Sequence, residues 1–249
     1  MESGRFLRNS QIIILGVCIA AATIASSVIL SQGFLKVMKF TREQISVTGS
    51  AQKDITSDMA LWRSSFSRRD VEPASAYKKL KEDLAKVKKY LVSKGIKEDD
   101  IQVFQVCTTT IYRKNEKGED TSDIQGYALS QQIAIKSGDV EKITLLSREA
   151  TELIDQGVEF SSGAPEYYYT KLNELKIEML AKATQNAKQR AENMTKATGN
   201  RIGLMRSAKM GVFQITPINS TEVSDWGVND SSSLEKKVTA VVTVSFAIE

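Results

Sequence analysis

The chain has 249 residues, 41% of them hydrophobic and 26% charged, with 34 basic and 30 acidic side chains. That composition is globular: disorder would need fewer apolar residues, and Gly 14 with Pro 3 excludes collagen-like or low-complexity sequence. Histidine is absent, which excludes Ser-His-Asp and Cys-His nucleophilic sites, histidine metal sites and histidine pH switching.

Residues 12–30, IIILGVCIAAATIASSVIL, carry no charge and no proline. Nineteen residues at ~1.5 Å each span ~28 Å, close to the ~30 Å hydrocarbon core of a bilayer. A buried helix of a water-facing domain would show a polar stripe, and none is present. We expect a transmembrane anchor or uncleaved signal at 12–30, a cytoplasmic tail at 1–11, a linker at 31–43 and an exported domain at 44–249. A cleaved signal is the alternative, since Arg5 and Arg8 supply a positive start. Against it, the run exceeds the usual ~7–15 residues and no A-x-A site ends it. Cys18 in LGVC suggests a lipoprotein site, but Val17 is bulky there and more apolar residues come after it.

Residues 1–43 hold five basic and two acidic residues, leaving 29 basic and 28 acidic in the rest. The domain is thus near neutral, which argues against a nucleic-acid partner. Basic residues flank the apolar run on both sides, so charge does not set its orientation. The very short tail favours a cytoplasmic N-terminus.

Along the domain, QISVTGS at 44–50 alternates as a strand, with Gly49 as a bulge or bend. A second strand begins near Met59 and sets Ala60, Trp62, Ser64 and Phe66 on one face. A helix over 74–94 carries the stripe Tyr77, Leu80, Leu84, Val87 and Leu91 and closes at Gly95. Strand 101–112, a charged loop at 113–124 and strand 126–136 form a long hairpin. Its tip fails the calcium-loop pattern. Cys107, alone in the domain, lies in an apolar alternating run and is expected to be a buried small hydrophobe.

A helix over 139–155 comes next, then short strands VEF and EYYYT within 158–170. A long helix over 172–198 has the stripe Leu172, Leu175, Met179, Ala183, Ala187, Ala191 and Met194, whose alanines permit close packing. Residues 201–216 form a strand region. A polar loop at 217–235 carries Trp226, as a packed lid or an exposed contact. The closing strand is 238–248. The order predicts an α+β fold: a mostly antiparallel sheet with helices packed on one face, plus the N-terminal transmembrane helix. Residues 59–169 run in a β-α-β-β-α-β order that resembles a split βαβ unit.

Four segments together resemble the SIMPL-domain family: 45–69, with Gly49 and Asp58; 108–143, with Gly126-Tyr127 and Asp139; 167–203; and 238–249. The resemblance implies an α+β fold, export to the bacterial periplasm or cell surface, ring-like assemblies in some relatives, and links to envelope or oxidative stress. No catalytic residues are established for that family, so none is carried over.

No P-loop, G-x-G-x-x-G or C-x-x-C occurs. The expectation is therefore a non-enzymatic protein without cofactor, metal or catalytic residues. Its partners would be the bilayer, through the N-terminal helix, and further copies of itself. It would sit single-pass in the inner or cytoplasmic membrane, with the domain extracytoplasmic. The hairpin is long enough to offer unpaired edges, and its tip mixes Arg113, Lys114 and Lys117 with Glu116, Glu119, Asp120 and Asp123, opposite charges that copies can pair. The alternative is a small-ligand module using Tyr167, Tyr168, Tyr169 and Trp226.

Overall fold

The computed structural model describes residues 3–249, and side chains for 14–38 and 43–249. Met1, Glu2 and the side chains of Arg5, Arg8, Lys39 and Arg42, in the expected tail and flanks, lie outside the described residues. The helices are α1 (Ser3–Arg42), α2 (Pro73–Ser93), α3 (Val140–Glu149) and α4 (Leu172–Ala197). The strands are β1 (Gln44–Thr56), β2 (Met59–Asp70), β3 (Ile101–Lys114), β4 (Asp120–Ser137), β5 (Glu159–Ser162), β6 (Glu166–Tyr168), β7 (Ile202–Met210), β8 (Gln214–Pro217) and β9 (Glu235–Ile248).

Within α1, Ile14–Met38 is long and apolar enough to cross a membrane, and none of it is buried. Its 25 residues reach about 37 Å. The apolar stretch outruns the expected end at Leu30. Ser31, Gln32 and Gly33 carry no charge, and Phe34, Leu35 and Val37 come after them. The segment expected as a linker is therefore helical through Arg42.

The strands form two sheets where one was expected. One runs β3-β4-β2-β5, with β6 also on β2; the other runs β1-β9-β7, with β8 also on β9. The chain divides into two compact units, residues 51–179 with 212–240, and residues 1–50 with 180–211 and 241–249.

In the first unit β2 is central. β4 pairs along one side of it, and β5 and β6 share the other, all antiparallel. Trp62 pairs with Ile135 and Ser64 with Ile133, so the even residues of β2 and the odd residues of β4 share a face. Helices α2 and α3 pack over that face, closing a core around Trp62, Phe66, Leu80, Leu91, Ile133 and Ile143. With β3-β4-β2-β5 as sheet order, β2-α2-β3-β4-α3-β5 is a split βαβ unit.

Local expectations met several corrections. Tyr77 is 53% exposed, and α2 instead buries Asp83 and Tyr90, which bond to Arg68 and to the exposed Glu152. The helix expected over 139–155 is α3 followed by a 3-10 turn at Ala150–Ile154. The charged loop expected at 113–124 is mostly strand, because ladder bonds join backbones and tolerate solvated side chains. Only a tight turn at 115–119 remains. There Gly118 takes φ 81° and the Asn115 side chain accepts from the Lys117 and Glu119 amides.

In the second unit α4 packs against β1 through its alanines. A Cβ on Gly49 would lie 2.7 Å from Ala187 Cα and nearer still to the Ala183 carbonyl oxygen. Gly49 therefore marks a close backbone approach. Met194 is 54% exposed, and Thr195 takes the buried place at that end of the stripe.

Candidate functional site

The β3–β4 hairpin projects beyond its sheet. β2 pairs with β4 only over Tyr127–Ser137, so residues 120–126 of β4 have β3 as their strand neighbour and no other among the described residues. Gly126 stands where the arm leaves: a Cβ there would lie 2.8 Å from the Asp70 carbonyl oxygen, so glycine fits and larger residues do not. Beyond it Tyr112 faces Ile124 across the ribbon, 41% and 54% exposed.

The tip brings together all seven charged residues expected to mediate assembly. Arg113, Lys114, Glu116, Lys117, Glu119, Asp120 and Asp123 are all exposed. Among the described residues none of the seven joins an ion pair. Glu119 accepts a 2.9 Å hydrogen bond from the Asn115 amide.

Cys107 is exposed, contrary to the expectation that it packs as a small hydrophobe. The strand reads as apolar, but the helices pack over β2 and β4, and β3 is the outermost strand. An alternating pattern cannot tell a covered strand from an uncovered one.

The four aromatics of the ligand-binding alternative have different environments. Tyr167 is buried at 8% exposure, and its hydroxyl shares a 2.9 Å hydrogen bond with Thr144. Tyr168 is half-buried and donates to Glu166, whose negative charge raises the phenol pKa. Tyr169 is half-buried. Trp226 is 94% exposed on a turn at 224–227, where Gly227 takes φ 85°. Gln214 holds both shoulders of that turn, donating to the Ser224 carbonyl and accepting from the Val228 amide. Among the described residues no hydrogen bond or ring contact joins Trp226 to the tyrosines.

A cleft of ≈ 390 Å³ lies beside Tyr167, lined by Thr144, Ser147, Arg148, Thr151, Ser162 and the 163–165 loop. Its hydroxyls already donate to backbone carbonyls: Thr144 to Val140, Ser147 to Thr144, Thr151 to Arg148 and Ser162 to Ser147. What remains for a ligand is a set of acceptors and the exposed Arg148. Among the described residues, no group of three or more His, Cys, Asp or Glu is placed to hold a metal ion.

Three polar residues that the periodicity placed inside were not singled out from sequence. Asp83 lies three positions after Leu80 and four before Val87, within the apolar stripe of α2. Arg68 continues the inward phase of Ala60, Trp62, Ser64 and Phe66. They meet in a two-point ion pair, and Arg68 also donates to the Gly157 carbonyl. Bonding to Asp83 raises the Arg68 pKa. Lys236 shares the inward phase of Val238 and Ala240. It is 3% exposed and donates to the Tyr167 and Asp230 carbonyls, and burial lowers its pKa.

The family described as "SIMPL: Protein of unknown function (DUF541)" matches residues 45–246. No curated protein matches the chain. A solved structure, the ligand-free regulatory subunit of aspartate kinase from Thermus thermophilus, aligns at 16% identity. It covers 79% of this chain and 88% of that one at a TM-score of 0.18, too low to indicate a shared fold.

Proposed function

The chain belongs to the SIMPL family, and from that premise we propose a membrane-anchored, extracytoplasmic protein that assembles with copies of itself, without catalysis, in envelope or oxidative stress tolerance. The observation that carries the assembly is the arm. A two-stranded ribbon is marginal on its own, and this one holds Tyr112 and Ile124 in water beside a tip of seven exposed charges. A neighbouring copy that covers the ribbon removes both costs. The near balance of charge in residues 44–249 keeps long-range repulsion between copies weak. The apolar stretch Ile14–Met38 supports anchoring in the inner or cytoplasmic membrane, and the family resemblance supports export of residues 44–249. The stress role is carried by the family resemblance.

Light scattering of the full-length protein in mild detergent tests the assembly. The expected protein mass is a multiple of 27.5 kDa, and deletion of residues 115–121 is expected to lower it without lowering the melting temperature. A strict monomer at tens of micromolar overturns the reading. The cleft beside Tyr167 supports a second reading, a small-ligand module. It requires a bound small molecule whose affinity falls in Arg148→Ala.

A further inference from the structure

β3 is the outer strand of its sheet, and among the described residues no strand pairs with its free edge. Edge strands of isolated domains are usually short, charged or interrupted by proline. β3 has 14 residues, with no charge and no proline from Ile101 to Tyr112. Charges sit at its two ends and differ in sign: Asp99 and Asp100 precede it, and Arg113 and Lys114 close it.

We propose that the free edge of β3 pairs antiparallel with β3 of a second copy, in the register where paired residue numbers sum to 213 at both ends of the strand. This rests on the self-assembly reading and names the surface it uses. In that register the acidic 3-10 turn Glu98–Asp100 before one β3 lies beside Arg113 and Lys114 at the end of the other, and the two-fold axis repeats this contact of opposite charges.

The register has independent support from the bulge in β3. Val103 pairs with Ile133 and Val106 with Gln131, so β3 carries one extra residue between them. Before the bulge, Ile101 and Val103 share the core face with Ile135 and Ile133. After it, Val106, Thr108 and Thr110 share that face with Gln131, Leu129 and Tyr127. The core-facing set thus changes from odd to even numbers. Paired residues across a ladder lie on the same face. An antiparallel pairing that sets the first part of β3 on the last part of its copy therefore needs an odd sum. The sum 213 satisfies this and sets Val103 against Thr110. The neighbouring odd sums shift the acidic turn off the basic end: 211 sets Asp100 beside Ile111, and 215 sets it beside Asn115. A bulge ordinarily protects an edge. Here both copies carry it: the sum is 213 outside the two bulges and 214 between them, so paired residues stay on one face throughout.

Disulfide trapping in full-length protein tests the register, with Cys18→Ser and Cys107→Ser removing the native thiols. Val103→Cys chains mixed with Thr110→Cys chains in detergent are expected to form a mixed disulfide on mild oxidation with oxidised glutathione. Val103→Cys with Ile111→Cys, on opposite faces, is expected not to. Separately, Asp99→Lys with Asp100→Lys is expected to weaken association about tenfold, since both contacts between the acidic turn and the basic strand end become repulsive. Adding Arg113→Asp and Lys114→Asp is expected to restore it. If the protein assembles but neither the selective disulfide nor the charge-reversal rescue appears, the β3 pairing is wrong and the assembly reading survives. A monomer by light scattering overturns both.

Discussion

Arg68 and Asp83 sit where hydrophobic periodicity asks for apolar side chains, and they fit there by neutralising each other. Asp83 is 1% exposed, whereas Arg68 keeps 27% of its side chain in water. Removing one partner of such a pair leaves an uncompensated charge and costs about 3–5 kcal/mol. The lower end applies to Asp83→Ala, because Arg68 can turn toward solvent. The expected loss of about 3 kcal/mol would be read from urea unfolding, and an unchanged midpoint would contradict the pairing. Asp70 is a half-buried carboxylate on the same strand as Arg68. Hydrogen bonds from Lys79 and Ser75 hold its carboxyl at about 2, below the ordinary 3.8. A depressed acid stabilises the fold above its unfolded pKa and loses that contribution as pH falls through the folded one. Asp70→Asn should therefore melt below the native protein at pH 6, with the gap closing between pH 3.8 and about 2. A gap independent of pH would show that the bonds to Lys79 and Ser75 do not form. Neither Asp83 nor Asp70 was singled out from the sequence, because each finds its partners on a different element.

The long elements were legible because each has a strong period of its own. α4 appears within one residue of its expected bounds, and β9 continues the alternation read from 238–248. Boundaries that depend on neighbours were not legible. β3 and β4 extend through charged residues because each supplies the other's backbone partners. Gly49 was legible as special but not as a contact, since its reason is the backbone of α4 arriving from more than a hundred residues away. Gly49→Val should push β1 and α4 apart. Overpacking of this kind costs about 1–3 kcal/mol, and the obstacle is main chain, which cannot rotate aside. A melting temperature equal to that of the native protein would contradict the packing.

At the scale of the molecule, none of the apolar stretch Ile14–Met38 is buried. Twenty-five such residues are unfavourable in water and favourable in a bilayer. The full chain is therefore expected to stay with membranes through an alkaline carbonate wash and to yield peptides containing Met1. A soluble mature form beginning near residue 31 would instead assign the segment to a cleaved signal.

The sequence by itself determined the apolar N-terminal helix, the order of the long strands and helices, the inward phase of β2, β4 and β9 and the neutrality of the domain. All of these are properties of composition or of local period. Only the tertiary structure decided that the strands divide between two sheets, that β3 lies at an edge with Cys107 exposed, and that the hairpin outruns β2 as an arm. It also decided that Tyr167 is buried while Trp226 stands in water. Those outcomes turn on which elements cover which faces. Coverage is set by pairings between residues far apart in the chain, and no local period records them.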